Sequence, residues 1–244
     1  MSQKNTKKQW WIWGISLVLL FSIVLGCGIY LGDYYHADKD AIQAVSPASI
    51  EQELPGGHLA FVPDICVAGF IFYPGGKVEH TAYIPLMRAL AQKGILCVLV
   101  RMPFRLAVLD MNAADGIQGR FDEVSRWYIG GHSLGGAMAA SYVEQHQNDY
   151  EGLVLLGAYS SVDLSQTSLD VLSIYGSEDG VMNREKYSAY LPHLPKGYEE
   201  VVLEGGCHAY FGMYGFQTGD GTPTLTPQEQ IALTATHIFE LCKI

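Results

Sequence analysis

Short runs that are apolar along their whole length recur through this chain. They include Val67–Tyr73 (VAGFIFY), Ile95–Val100 (ILCVLV), Gly152–Leu156 (GLVLL) and Val171–Tyr175 (VLSIY). A strand with one wet face alternates polar and apolar residues; a strand without alternation must be covered on both faces. Amphipathic stretches separate these runs: Tyr83–Gln92 with Gly94 as its stop, Leu106–Gly116, Ala137–Gln145, Arg184–Leu194 and Thr226–Leu241. An edge strand is also expected at His58–Val62, closed by Pro63, and further strands at Trp127–Gly130 and at Glu199–Leu203. Such alternation predicts an α/β fold, a doubly wound and mostly parallel sheet with helices on both faces. In open sheets of this kind, ligands sit at the carboxyl ends of the strands.

The N-terminus is of another kind. Gln9–Gly32 carries no charge, and its core, Trp10–Tyr30, reads WWIWGISLVLLFSIVLGCGIY. At about 1.5 Å per residue this core spans roughly 31 Å, enough to cross a bilayer. Lys4, Lys7 and Lys8 precede it and Asp33 follows it. That bias predicts residues 1–9 in the cytoplasm, a transmembrane anchor over 10–31 and the main domain outside the cell. Ile23-Val24-Leu25-Gly26-Cys27 is a second reading of the same stretch, a loose lipobox in which Cys27 becomes lipid-modified. A cleaved signal is the third. Residues 32–57 read as a polar linker, with room for a short helix before Pro55, and 58–244 as the globular domain.

The formal net charge is −10 over 244 residues, a surface that repels polyanions and argues against nucleic acid as a partner. The five cysteines show no metal-ligand spacing. No cofactor motif is present, neither a phosphate-cradling glycine loop nor a paired-histidine metal signature.

The sharpest motif is Gly131-His132-Ser133-Leu134-Gly135-Gly136, a G-x-S-x-G between an expected strand and an expected helix. A strand that turns at once into a helix strains its middle residue and pushes that side chain outward, and bulky neighbours two positions away would collide. Ser133 is therefore the candidate nucleophile. A serine hydroxyl needs a base, and the base needs an orienting carboxylate. Asp179 lies in the turn after Val171–Tyr175 and is the candidate acid, with Asp163 as its rival. His208 lies in the glycine-rich loop after Glu199–Leu203 and is the candidate base among eight histidines. A tetrahedral intermediate needs donors for its oxyanion. The N–H of Leu134 is one. The other is that of Gly76, or alternatively Lys77, in Pro74-Gly75-Gly76-Lys77. Arg101–Arg105 follows a strand and either lines one wall of the site or only packs.

With its FYPGG turn, GGHSLGG elbow and GGCHAYFG loop, the chain resembles the α/β-hydrolase superfamily, and within it a compact lidless group related to dienelactone-hydrolase-like proteins. The resemblance covers His58 to the C-terminus. It implies a Ser133-Asp179-His208 triad without cofactor or metal, and it implies that Tyr210 and Phe211, with Asp220-Gly221, border the substrate. The short connection between Leu156 and Val171 leaves no room for a helical cap. Together these readings predict a membrane-held serine esterase acting on a small or envelope-borne ester, less readily on an amide. The alternatives are an acyltransferase or peptidase using the same residues, and a non-catalytic binding protein on the same fold.

Overall fold

The computed structural model describes residues 3–45, 47 and 50–243, with side chains from residue 10 onward. The chain divides into one unit ending at Tyr34 and a second beginning at Tyr35. The first is a single helix, α1 (Gln3–Gly32). Its segment Trp10–Gly32 is long and apolar enough to cross a membrane, with mean hydropathy 2.4 and its side chains exposed from Trp10 to Tyr30.

The second unit is built on one eight-stranded sheet. Its strands are β1 (Ile50–Leu54), β2 (His58–Val62), β3 (Ala68–Tyr73), β4 (Ile95–Leu99), β5 (Trp127–His132), β6 (Gly152–Leu156), β7 (Asp170–Gly176) and β8 (Glu199–Leu203). Their spatial order is β1-β2-β4-β3-β5-β6-β7-β8. The β1–β2 and β2–β4 pairs are antiparallel; every other pair is parallel. All residues of β3, β4, β5 and β6 are buried, as their unbroken apolar runs require.

Helices α3 (Ile84–Gln92) and α6 (Pro227–Cys242) cover one face. There Phe70, Phe72, Leu86, Leu90, Ile231 and Ile238 form a continuous core. Each such side chain contributes about 1.5–3 kcal/mol on burial. Thr226 and Glu229 cap the start of α6 reciprocally, with Pro227 in its first turn. On the other face lies α4 (Leu134–Gln145), whose Ala139, Ala140 and Val143 pack against Ile71, Val98 and Ile129. Helix α5 (Arg184–Tyr190) follows β7, with Asn183 as its N-cap.

Two expectations are corrected. Leu106–Gly116 is not an α-helix but a series of tight turns, with a 3-10 turn at Ala107–Leu109. Its N–H groups close short turns, as from Leu109 to Leu106 and from Asp110 to Ala107, and two further backbone groups are met by the buried Tyr73 hydroxyl, which donates to the Met111 carbonyl at 2.7 Å and accepts the Ala114 N–H at 3.1 Å. Pattern alone cannot reveal a tyrosine taking over helical hydrogen bonds. Second, the stretch read as a linker is largely part of the fold. It holds α2 (Lys39–Gln43), a short helix before Pro55 as expected, and the strand β1, which takes the sheet edge expected of His58–Val62 and leaves β2 inside the sheet. The Arg88 guanidinium fixes this stretch, donating to the Ile42 and Val45 carbonyls and pairing with Glu51 at 2.6 Å.

Candidate active site

Strand β5 ends at His132, and α4 starts at Leu134, so Ser133 alone makes the turn. Its backbone is left-handed, φ 52° and ψ −121°. For a residue with a side chain this costs about 1–3 kcal/mol. The surroundings offset it: the Ser133 N–H donates to the Leu156 carbonyl at 2.9 Å, and the Ser133 carbonyl accepts the Ala137 N–H at 3.2 Å. Gly131 is obligatory here, because a Cβ on it would lie 2.6 Å from the Tyr73 carbonyl oxygen and from the Gly135 carbonyl carbon.

Asp179 and His208 meet at the neighbouring strand ends. The His208 Nδ1–H donates to Asp179 Oδ2 at 2.8 Å, with both side chains buried. The other carboxylate oxygen of Asp179 accepts the N–H groups of Val181 at 3.0 Å and Met182 at 2.8 Å. A buried carboxylate is held only if its oxygens are satisfied, and both oxygens of Asp179 are. The turns that carry the pair are stitched together: the Glu178 N–H donates to the Gly206 carbonyl at 2.8 Å. Gln230, buried in α6, clasps both backbone groups of Cys207 at 2.9 and 2.7 Å. Gly157, at the end of β6, backs onto the pair, since a Cβ there would lie 2.8 Å from His208 Nδ1.

The sequence-predicted Ser133, Asp179 and His208 therefore gather at one sheet edge, and the last two are hydrogen-bonded. Among the described residues no hydrogen bond joins Ser133 to His208, and His208 Nε2 is buried without a partner. The expected oxyanion loop lies beside them, as a Cβ on Gly76 would come 2.9 Å from Leu134 Cδ2. Its N–H groups divide. That of Gly75 donates to the Tyr83 hydroxyl at 3.1 Å, and that of Lys77 to the Arg105 carbonyl at 2.9 Å. Only the Gly76 N–H, among these three, has no partner within the described residues.

Other expected residues lie elsewhere. Asp163 is exposed, and its carboxylate accepts the Ser165 N–H at 2.9 Å, which lowers its pKa. Phe211 is fully buried with its ring centroid 5.5 Å from that of His132; it supports the site from below. Tyr210 is half-buried. A cavity of about 290 Å³ adjoins Ser133, lined also by Leu134, Gly157, Tyr159, Val181 and Met182. Arg101 and Arg105 line a different cavity, of about 370 Å³, with Pro74, Glu79 and His80. There Phe104 and Arg105 are consecutive left-handed residues, φ 49° and 61°. Burial, then the Arg101 charge, pushes the His80 imidazole down to about 4. Among the described residues no group of three His, Cys, Asp or Glu side chains could hold a metal ion.

Sequence reasoning missed Tyr83, His132 and Gln230 as parts of this site. Tyr83 and His132 are buried and joined at 2.7 Å, and nothing in the spacing of residues 83 and 132 signals that contact.

The profile described as the Alpha/beta hydrolase family matches residues 69–232. No curated protein matches the chain. Among solved structures, a predicted CIB-like hydrolase from Thermoplasma acidophilum is similar with TM-score 0.56 and 17% identity, covering 80% of this chain and 100% of that one. Est1E from Butyrivibrio proteoclasticus, bound to ferulic acid, is similar with TM-score 0.59 and 13% identity over 79% and 99%. A dienelactone hydrolase from Anabaena variabilis is similar with TM-score 0.57 and 14% identity over 80% and 97%.

Proposed function

The chain belongs to the Alpha/beta hydrolase family, and on that premise we propose that it is a serine hydrolase cleaving a carboxylic ester through an acyl-enzyme on Ser133. The observation that carries this reading is the buried Asp179–His208 hydrogen bond of 2.8 Å beside a serine held at φ 52°.

In this mechanism the Nδ1–H of His208 is committed to Asp179, which leaves the Nε2 lone pair as the base. Nε2 takes the proton of the Ser133 hydroxyl as Oγ attacks the ester carbonyl carbon. The carbonyl π electrons move onto oxygen, and the N–H groups of Leu134 and Gly76 stabilise that oxyanion. The C–O bond to the alcohol then breaks, and the imidazolium returns its proton to the leaving oxygen. Water, deprotonated by the same nitrogen, attacks the acyl carbon, and Ser133 leaves with its proton restored. Asp179 stays ionised throughout and stabilises the imidazolium. The Ser133–His208 hydrogen bond forms on substrate binding; such bonds are commonly long in empty sites.

The cavity beside Ser133, about 290 Å³, lies at the small end of ligand pockets, roughly 300–1,000 Å³. It suits a short acyl or alkyl group. The apolar helix Trp10–Gly32 serves as a membrane anchor in this proposal, with the lysine-bearing end in the cytoplasm and the hydrolase domain outside. Mass analysis of the mature N-terminus separates an intact anchor from lipid modification at Cys27.

The deciding experiment is hydrolysis of short p-nitrophenyl esters together with fluorophosphonate labelling. Wild type is expected to hydrolyse and label, and Ser133→Ala to do neither while staying folded. Equal activity in the two proteins would refute the assignment.

A further inference from the structure

Between the loop that carries Gly76 and the ring of His208 lies a buried pair of polar side chains with no role in the steps above. Tyr83 enters from the start of α3, and His132 is the last residue of β5. Their relative exposures are 0% and 1%. The Tyr83 hydroxyl accepts the Gly75 N–H at 3.1 Å. Its own proton is then directed to its other close neighbour, His132 Nδ1, at 2.7 Å. With that direction of donation, the bonding that satisfies all three groups, His132 carries its own proton on Nε2. The His132 ring in turn lies against the His208 ring, centroids 4.4 Å apart and planes inclined by 49°. Phe211 closes the stack from beneath, 5.5 Å from His132. Gly75 has no Cβ for the same reason: one would lie 2.7 Å from both the Tyr83 hydroxyl and His132 Nδ1.

We propose that Tyr83 and His132 are positioning residues, a clamp that holds the oxyanion loop and the His208 ring in one fixed relation. This rests on the reading of Ser133 and His208 given above and extends it. The loop's Gly76 N–H must meet an oxygen on the same carbon that Ser133 attacks, while His208 faces Ser133 itself. An error of a fraction of an ångström in either is magnified in the transition state and nearly silent in the ground state. His132 must also stay neutral, because a second cation against the forming imidazolium would oppose proton transfer. Burial, and then the proximity of His208, holds His132 well below the usual histidine range, and the donated tyrosine proton occupies the lone pair that would otherwise ionise. The aromatic rings around His132 are Tyr83, Tyr214, Phe211 and His208, and no carboxylate is among the groups that shift its titration; the one influence that favours its charge is a hydrogen bond with the His208 backbone.

Two measurements on the full chain in detergent test this. Nitrogen-15 NMR of histidine-labelled protein at pH 7 reads the tautomer directly. The expected result for His132 is a protonated Nε2 and a bare Nδ1; a protonated Nδ1 or an imidazolium overturns the clamp, whatever the protein hydrolyses. Kinetics on Tyr83→Phe and His132→Leu read its consequence. Both are expected to lower kcat at least tenfold with KM changed less than threefold, and to weaken an alkyl boronic acid, which mimics the tetrahedral intermediate, by a similar factor. His132→Gln, whose amide oxygen can accept the tyrosine proton, is expected to recover part of that loss. Wild-type kcat and boronic-acid affinity in a folded Tyr83→Phe protein would overturn the proposal. Failure of wild type to label with fluorophosphonate would instead sink the Ser133 reading, leaving the tautomer measurement to judge the clamp alone.

Discussion

Asp220 grips the backbone of His208: its Oδ1 accepts the His208 N–H at 2.8 Å, while Oδ2 accepts the Ala209 N–H at 3.0 Å. One carboxylate thus caps the tight turn on which the proposed base sits. The loop bearing it is tied to the Asp179 turn as well, through the Gly221 N–H and the Glu178 carbonyl at 2.8 Å. Replacing Asp220 by Ala removes two charge-assisted hydrogen bonds and leaves both donors without their acceptor, a loss of about 2 kcal/mol or more. Expected is a folded protein with a lower denaturation midpoint and kcat reduced roughly 100-fold through misplacement of the ring. Denaturant titration and steady-state kinetics on one preparation check both.

The glycines of the elbow are sterically determined. Gly131→Ala would drive a methyl group against the Tyr73 carbonyl at 2.6 Å, backbone against backbone, where no rotamer gives relief. The expected cost is roughly 3 kcal/mol. Gly119→Ala serves as the control, because a Cβ there meets nothing within 4 Å. Thermal melts of the two variants should differ clearly, and equal midpoints would contradict the packing described.

The domain's N-terminal limit can be tested by truncation. A chain starting at Tyr35 keeps β1, and with it the Arg88–Glu51 ion pair and the carbonyl contacts of Arg88. A chain starting at His58 loses all three and bares the edge of β2, a template for unwanted strand pairing. The shorter chain is expected to melt several degrees lower and to associate on size exclusion, and the longer to run as a single species. A loss of about 2 kcal/mol corresponds to roughly 4–8 °C in a domain of this size.

Stability should also fall in mild acid, through histidines rather than carboxylates. His132 is held well below its usual range by burial and by His208, and His80 is pushed down to about 4 by burial and Arg101. In the unfolded chain both take up a proton near pH 6.5, and in the folded chain they refuse it. The folded state is therefore fully favoured above pH 6.5 and loses ground as pH falls below it, for His80 down to about pH 4. Each group contributes at most about 1.4 kcal/mol per pH unit, less for the partly exposed His80. Unfolding midpoints at pH 8, 6.5 and 5.5 should fall across the last interval, and His80→Gln should flatten the fall.

What was readable in the chain followed from local pattern. Unbroken apolar runs such as VAGFIFY can only be sheet interior, and the glycines around Ser133 can only serve a close approach, so the parallel sheet and the elbow were legible. The meeting of Asp179 with His208 was legible because each lies in the loop after a recognisable strand. What escaped depends on contacts between distant segments. The edge strand β1 is almost wholly exposed and polar, so its sequence carries no burial signal. The segment at Leu106–Gly116 has helical spacing, yet it folds into short turns with Tyr73 holding two of its backbone groups. Tyr83 and His132 look like ordinary core residues until the fold sets them against each other.

The connection from Gly157 to Leu169 contains no helix. In the proposed reading, a substrate reaching Ser133 has no helical cap from this connection to displace. Turnover should begin without a lag and rise smoothly with dissolved ester, with no jump in rate when droplets or micelles form. On that proposal, selectivity resides in the walls of the cleft rather than in a door formed by this connection.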